Sequence, residues 1–591
     1  MLAAMGIVAL TATVGVLTVG LWISHKYFSE LPLDFTLSPP KRNDNPPADW
    51  KEREPRIKVP GSSTIHCYAP ATGEFLGYVR PFTTDDIDKA VAQAKNAQEA
   101  WARTTFAQRR QVLKTMLKFV LKNQETICKY ACLDSGKTMV DAALGETLVT
   151  CEKLQWTIKH GEKAISVSKR PTNLLMKYKK NEVHYEPLGV VAALVSWNYP
   201  FHNFIGPVIS ALFAGNAIVV KASENTAWSA VYWQRIAQAS LSVCGHDPRL
   251  VQMVVCWPET ANHLTSHKDI SHVTFIGSRA VAHHVAAAAA KSLTPVVAEL
   301  GGKDAYVVLD SAKNDLKRIA DIAVRGSFQS SGQNCVGIER IIACEEIYGP
   351  LVELLKTRTS AMRLGSALDA KDGEIIDMGA MITSASFDRL EYLVAAAVKQ
   401  GARLLLGGKR YEHPVHKRGT YFQPTLIVDV TTKMEIANEE CFAPICTVMK
   451  AKNAEDAIRI ANDPDFGLGA SIFGKENWEM DECVRAIRSG MVSVNDFGVY
   501  YAVQLPFGGV GGSGYGRFAG EEGLRGLCNL KAVCRDRWPG LVNTSIPPPL
   551  RYPIKDMTKA YGMVTGIVGL GYQPGWWGKT KALGKLAGNA L

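Results

Sequence analysis

Four continuous apolar runs set what this chain can fold into: Val190-Val191-Ala192-Ala193-Leu194-Val195, Ala217-Ile218-Val219-Val220, Leu250-Val251-Gln252-Met253-Val254-Val255 and His272-Val273-Thr274-Phe275-Ile276. Each has the length of a strand buried on both faces, and the segments between them read as helix. Repeated strand–helix units build a doubly wound parallel sheet, whose ligand sits beyond the carboxyl ends of the strands. A second mixed region runs from about Asp304 to Asn495 and opens on the strand Ala305-Tyr306-Val307-Val308-Leu309. Upstream, Thr83-Thr84-Asp85-Asp86 is a helix-capping cluster, with Ile87, Ala90, Val91 and Ala94 following at helical spacing. Helical character continues to about His160. The fold class is α/β, and 591 residues call for two or three domains.

Thirteen cysteines without a Cys-x-x-Cys pair fit reduced thiols better than a disulfide framework or a zinc site, so no metal is implied. The net charge of +11 comes without a finger, an RNP motif or a basic-aromatic block, which excludes a nucleic-acid partner. Residues Leu2 to Ile23 carry no charge and no proline, long enough for a bilayer span of about 20 residues. A cleaved signal peptide is the rival, but no basic residue precedes the segment. His25, Lys26, Lys41 and Arg42 on the downstream flank put the body in the cytoplasm, as a single-pass membrane protein, with the endoplasmic reticulum favoured. Pro32, Pro39, Pro40, Pro46 and Pro47 make residues 31–50 a stiff, polar spacer. Near the end, Tyr561 to Tyr572 is too short to span a membrane; a surface-lying segment and an ordinary packed tail both remain open.

The chemistry is carried by a thiol and a carboxylate. Cys335 lies in Gly332-Gln333-Asn334-Cys335, just past an expected helix from Ile319 to Phe328. Most cysteines are inert packing residues, but a glycine-bracketed loop exposes a thiol and turns backbone N–H groups toward an oxyanion. Glu299 ends the run Pro295-Val296-Val297-Ala298 and precedes Gly301 and Gly302 by two and three positions. It is either a solvated strand-end carboxylate or, if desolvated, a general base. Asn198, in Trp197-Asn198-Tyr199-Pro200, is a turn residue or an oxyanion donor at the crevice rim. Lys221-Ala222-Ser223-Glu224 ends the second strand, where a carboxylate holds ribose hydroxyls and repels a 2′-phosphate. Phe275-Ile276-Gly277-Ser278 offers a glycine and a serine suited to cap a helix whose N-terminus takes a pyrophosphate. Gly509 to Gly514 matches G-x-G-x-x-G but follows no buried strand, and is expected to be a flexible loop.

These segments, with Glu439-Glu440-Cys441-Phe442-Ala443-Pro444, Asn495 and Pro506-Phe507-Gly508-Gly509, resemble the aldehyde dehydrogenase superfamily over roughly residues 60 to 535. The anchor and tail resemble a membrane-bound fungal and plant branch. The resemblance implies Cys335 as nucleophile, Asn198 and the Cys335 N–H as oxyanion donors, and Glu299 as the base that activates water. It implies Lys221, Glu224 and Glu440 on ribose hydroxyls, Gly277 and Ser278 at the pyrophosphate, and Trp197 and Phe442 on the nicotinamide side. Ala222, Ile276 and Ala443 depart from the usual proline, threonine and glycine, all around the cofactor.

The expected function is NAD-dependent oxidation of an aldehyde to an acid, with NAD preferred to NADP. The alternatives are a CoA-acylating enzyme, which has no need of Glu299, and a catalytically silent membrane-tethered scaffold. Membrane attachment points to lipid-derived aldehydes, with Tyr199, Tyr501 and Phe507 lining a tunnel, while Asn203 points to something more polar. The implied layout is an anchor over 1–24, a linker over 25–60, an NAD-binding domain over 61–164 and 188–301, and a catalytic domain over 302–500. Arms over 165–187 and 501–535 imply a homodimer or homotetramer, and 536–591 is the tail.

Overall fold

The apolar runs between residues 190 and 300 form strands because their side chains find hydrophobic cover on both faces of one sheet. The computed structural model describes residues 30–42, 46, 50, 54–173, 176–371, 374–475, 477–497 and 501–590. In it, β1 (Val190–Leu194), β2 (Ala217–Lys221), β3 (Val251–Val254), β4 (Val273–Gly277) and β5 (Val296–Leu300) run parallel in the order β5-β4-β1-β2-β3. The strand order reverses between β1 and β4, so the crevice opens beyond the carboxyl ends of those two strands. There the chain carries Ser196 to Pro200 after β1 and Gly277-Ser278 after β4. Register sets Leu194 beside Lys221 and Ile276 beside Glu299.

A second sheet is built from β6 (Asp304–Val308), β7 (Ile338–Cys344), β8 (Arg403–Leu406), β9 (Thr425–Val428), β10 (Ile445–Ala451), β11 (Gly469–Phe473) and β12 (Met491–Val494). Its order is β8-β9-β10-β7-β6-β11-β12, parallel except for β8 against β9. A large buried apolar cluster surrounds it, from Tyr306 and Ile341 to Val448 and Phe473. The short strand β13 (Gly514–Tyr515) pairs antiparallel with β5, Gly514 opposite Glu299. The glycine-rich segment is therefore not a free loop. Gly512 accepts from Arg279 Nε at 2.9 Å, and the Ser513 hydroxyl donates to the Gly301 carbonyl at 2.8 Å.

Thr83 caps the helix Thr84–Trp101 reciprocally with Asp86, and helices follow to Ile165 with a π-turn over Ala143–Leu148. Of the stretch expected to be a spacer, residues 30–40 make contacts with the helical region. Arg110, Lys114, Lys118 and Lys122 recur every four residues on the helix Phe106–Lys122, a single face. Glu30 pairs with the first two at 2.7 Å each, and Asp34 pairs with the last two. Phe35 stacks on Phe119 with centroids 4.5 Å apart, and Tyr130 donates to the Pro40 carbonyl. Charge complementarity outweighs prolyl stiffness here, and residues 30–40 lie along the body.

Contacts divide the chain into two units, one of residues up to 164 with 187–528, the other of residues 165–186 with 529–591. Residues 501–528, expected in an arm, belong to the first because β13 and the helix Gly520–Arg525 are built into it. In the second, Ser168–Arg170, Lys179–Pro187 and Cys528–Asp536 form an antiparallel sheet. The tail of this unit is a helical pair, Met557–Tyr572 and Trp576–Ala590, with Trp576 and Trp577 exposed. Among the described residues no helix is long and apolar enough to cross a membrane. The anchor expected over 1–24 lies outside the described residues.

Candidate active site

Cys335 owes its position to a strained loop. After the helix Leu316–Phe328 the chain passes through three successive left-handed residues, Ser330 (φ 53°), Ser331 (φ 58°) and Gly332 (φ 69°). A non-glycine residue in that region costs about 1 kcal/mol or more, so the surroundings must hold it. They do: Asp141 Oδ2 accepts from Ser330 N at 3.1 Å, and the Ser331 hydroxyl donates to the Gly379 carbonyl at 2.9 Å. Gln333 spans the loop, donating to the Ser330 carbonyl and accepting from Ile382 N. A Cβ on Gly332 would stand 2.1 Å from the Ala443 carbonyl oxygen, so only glycine fits. The turn closes with Gly337 N donating to the Asn334 carbonyl at 2.9 Å, leaving the half-buried Cys335 inside it.

Glu299 lies beside that thiol at the tip of β5. It is 2% exposed, and its Oε1 has no hydrogen-bond partner. Burial pushes its pKa up to about 7, while the Cys335 thiol beside it pulls the other way. The same proximity acts on Cys335: burial first, then the Glu299 charge, holds the thiol well above its ordinary value. Glu299 is thus a desolvated carboxyl, not a solvated strand end.

Asn198 faces the same point, and its amide is oriented. Its Oδ1 accepts from the Ser196 hydroxyl at 2.7 Å and from Asn203 Nδ2 at 3.2 Å, which turns Nδ2 toward the Gln333 carbonyl at 3.1 Å. Its backbone is held by a buried ion pair. Lys137 Nζ donates to the Asn198 carbonyl at 2.6 Å and to Glu146 Oε1 at 2.7 Å. Glu146 Oε2 then accepts from Phe201 N and His202 N, the free amides opening the helix Pro200–Ala214. Lys137 and Glu146 escaped sequence reasoning, since nothing in the isolated letters at 137 and 146 marks a partner sixty residues on.

Two cavities meet on these residues. The first runs over Tyr199, Lys153, Val503 and Phe507; the second over Trp197, Ser278, Glu440 and Phe442. Asn198, Ile276, Glu299 and Cys335 line both. Ala502, Val503 and Leu505 supply the wall where Tyr501 was expected. Lys153, His202, Asn203 and Asn334 also line it, in a wall whose exposed surface is mostly apolar.

The second cavity holds most of the residues assigned to a cofactor. Glu440 Oε1 accepts from Gly302 N at 3.0 Å, an approach open because a Cβ on Gly301 would stand 1.9 Å from that oxygen. Burial, then the nearby Glu339 charge, pushes Glu440 up to about 8. Glu339 pairs with Lys303 at 2.5 Å and accepts from Cys441 N and Phe442 N, holding Phe442 at φ 49° with its ring edge-on to Trp197, centroids 5.6 Å apart. Two charged residues in the otherwise apolar β7, Glu339 and Arg340, were a signal that sequence reasoning passed over. Ser278 occupies the cap position of the helix Arg279–Ala290 but makes no capping bond, contrary to expectation, so its hydroxyl is uncommitted. Lys221 and Glu224 pair at 2.5 Å one strand away, outside this cavity's lining. An uncommitted hydroxyl at a helix N-terminus, a carboxylate strand tip and two aromatic rings suit a dinucleotide with anionic, hydroxylated and planar parts. All thirteen cysteines are free.

A family model described as "Aldehyde dehydrogenase family" matches residues 58–533. An aldehyde dehydrogenase-like protein of Saccharomyces cerevisiae is 50% identical over 549 residues, 92% of this chain and 84% of the relative. A counterpart in Schizosaccharomyces pombe is 52% identical over 511 residues, 86% of this chain and 97% of its own. Among solved structures, an aldehyde dehydrogenase of Mycobacterium tuberculosis complexed with NAD+ superposes with a TM-score of 0.74 at 30% identity, covering 80% of this chain and 95% of that one.

Proposed function

The chain belongs to the aldehyde dehydrogenase family and is an NAD(P)-dependent oxidoreductase acting on the aldehyde group, and on that premise we propose that it hydrolyses a Cys335 thioester to a free acid. The observation that carries this is the pair of cavities sharing Cys335, Glu299 and Asn198: one side admits an aldehyde, the other a dinucleotide.

Glu299 takes the Cys335 proton, and the thiolate attacks the carbonyl carbon, forming a C–S bond. The oxygen becomes an oxyanion, which accepts from Asn198 Nδ2 and the Cys335 N–H. A nicotinamide dinucleotide, when bound, supplies the two-electron acceptor. Trp197 and Phe442 flank its ring, Gly277 and Ser278 its pyrophosphate, and Lys221, Glu224 and Glu440 its ribose hydroxyls. Glu299 passes the thiol proton on to solvent. It then takes a proton from water, whose oxygen attacks the thioester carbon. The C–S bond breaks with sulfur leaving as the thiolate, and the proton on Glu299 returns to that thiolate as the acid leaves. A pKa near 7 suits both of its proton transfers at neutral pH. The Glu224 carboxylate favours NAD over NADP by repelling a 2′-phosphate.

The test is product analysis of the purified protein with aldehyde and NAD+. Free acid accumulating without CoA is expected; acid equivalents that form only with CoA, as acyl-CoA, would establish the acylating alternative. For location we retain a single anchor at residues 2–23, body toward the cytoplasm. Alkaline carbonate extraction tests it: release of the full chain into the soluble fraction refutes it. A homodimer or homotetramer is the corresponding expectation for assembly, and sedimentation equilibrium returning a monomer rejects it.

A further inference from the structure

Among the described residues three lysines are buried, and one of them lacks a counter-charge. Lys137 pairs with Glu146 at 2.7 Å and Lys303 with Glu339 at 2.5 Å. Lys153 is 6% exposed, and its Nζ makes one long hydrogen bond of 3.5 Å to the Phe518 carbonyl and lies 5.9 Å from the centroid of the Phe518 ring. Burial alone acts on its charge, lowering its pKa to about 8. An ammonium removed from water without a carboxylate costs several kcal/mol. A site that keeps one has a use for a partner supplied from outside.

The position indicates what that partner is. Gly145, Val149 and Lys153 follow one another at intervals of four, so a single helical face presents all three to the first cavity. Gly145 abuts the Tyr199 ring, next to Asn198; a Cβ there would stand 2.2 Å from Tyr199 Cε1. Lys153 lies about two turns further along the same face. The charges bearing on Cys335 are Glu299, Asp304 and Glu440, whereas Lys153 bears on His202. The ammonium lies beside His202 and Gly206, both on the helix Pro200–Ala214. Lys153 Nζ and His202 Cε1 both lie against Gly206, each 3.8 Å from where a Cβ on it would stand. His202 adds no competing charge: burial, then Lys153, lowers its pKa to about 3, and Nδ1 is engaged with the Thr150 hydroxyl at 3.0 Å. Among the described residues Glu299 is the only carboxylate in the cavity wall, and it sits beside Cys335.

We infer that this site prefers aldehydes carrying a carboxylate at the end remote from the carbonyl, with Lys153 as the residue that holds it. The inference rests on the aldehyde-oxidising reading and narrows its substrate class. It also replaces the expectation of a purely aliphatic, lipid-derived aldehyde.

The test compares kcat/KM of the wild-type enzyme for unbranched ω-carboxy aldehydes of four to eight carbons with neutral aldehydes of matched length. A charge-assisted hydrogen bond in a dry pocket predicts a preference of about 10- to 100-fold for the carboxylate. In Lys153→Met that ratio should collapse, chiefly through KM for the carboxy aldehyde, and Lys153→Arg should retain part of it. Equal or better turnover of neutral aldehydes by the wild type, or a ratio that survives Lys153→Met, overturns the inference alone. The wild-type arm stands even if a variant fails to fold. No turnover on either series overturns the aldehyde-oxidising reading, and the inference with it.

Discussion

Replacing Glu299 with glutamine is predicted to stabilise the protein at neutral and alkaline pH while blocking acid release. Glu299 is 2% exposed and its pKa rises from 4.5 to about 7 on folding. Between those values the unfolded chain ionises and the folded chain resists, so stability falls as pH rises through the window and stays lost above it. At 1.36 kcal/mol per unit the full loss is about 3 kcal/mol, of which about 2.5 kcal/mol falls between pH 5 and pH 8. Glutamine has no such proton and no such loss. The assay is urea unfolding of wild type and Glu299→Gln at both pH values, followed by tryptophan fluorescence. The variant's advantage should grow by about 2.5 kcal/mol from pH 5 to pH 8. An advantage independent of pH would mean that Glu299 is not held in a dry site, and its assignment as a tuned base would fall.

Four further outcomes follow from the same geometry. The kcat/KM profile of the wild type should rise with pH through about 7 as Glu299 loses its proton, a limb seen by initial rates and absent from Glu299→Gln. Glu224→Gln should improve kcat/KM with NADP relative to NAD by about 10-fold, one removed repulsion of about 1.4 kcal/mol; an unchanged ratio would show that Glu224 does not read the ribose. Glu146→Gln leaves Lys137 buried without its counter-charge, which should cost about 3–5 kcal/mol in denaturant unfolding and lower kcat through a displaced Asn198. Gly332→Ala should abolish turnover and lower Tm, because its Cβ would collide with the Ala443 carbonyl at a left-handed position.

The strands around the crevice were legible because burial on both faces leaves continuous apolar runs at 190–195, 217–220 and 272–276. The Thr83 cap was legible because capping is local chemistry. Cys335 and Glu299 were each marked by neighbouring glycines, of which Gly332 clears the Ala443 carbonyl, Gly302 the Cys335 carbonyl and Gly301 the Glu440 carboxylate. What stayed hidden depends on which residues meet at long range. The acidic Glu30 and Asp34 acquire meaning only once Arg110, Lys114, Lys118 and Lys122 are phased onto one helical face, so residues 31–50 read as a spacer. The Lys137–Glu146 pair joins a helix end to a π-turn, and its job is done on Asn198, in another element. Gly509 to Gly514 reads as flexible by composition, yet Arg279 and Gly301 tie it to the sheet. Lys153 is one cation on a helical face, and its lack of a partner is visible only in three dimensions.

The central claim is that aldehyde carbon is oxidised while bonded to the Cys335 sulfur and is released by Glu299. It is tested most directly by mixing Glu299→Gln with aldehyde and NAD+ and following NADH and intact protein mass together. The account predicts a stoichiometric burst of NADH, then arrest, with an acyl group on Cys335 located by peptide mapping and no burst in Cys335→Ala. Steady turnover by Glu299→Gln without an acylated Cys335, or a burst that persists in Cys335→Ala, would contradict it.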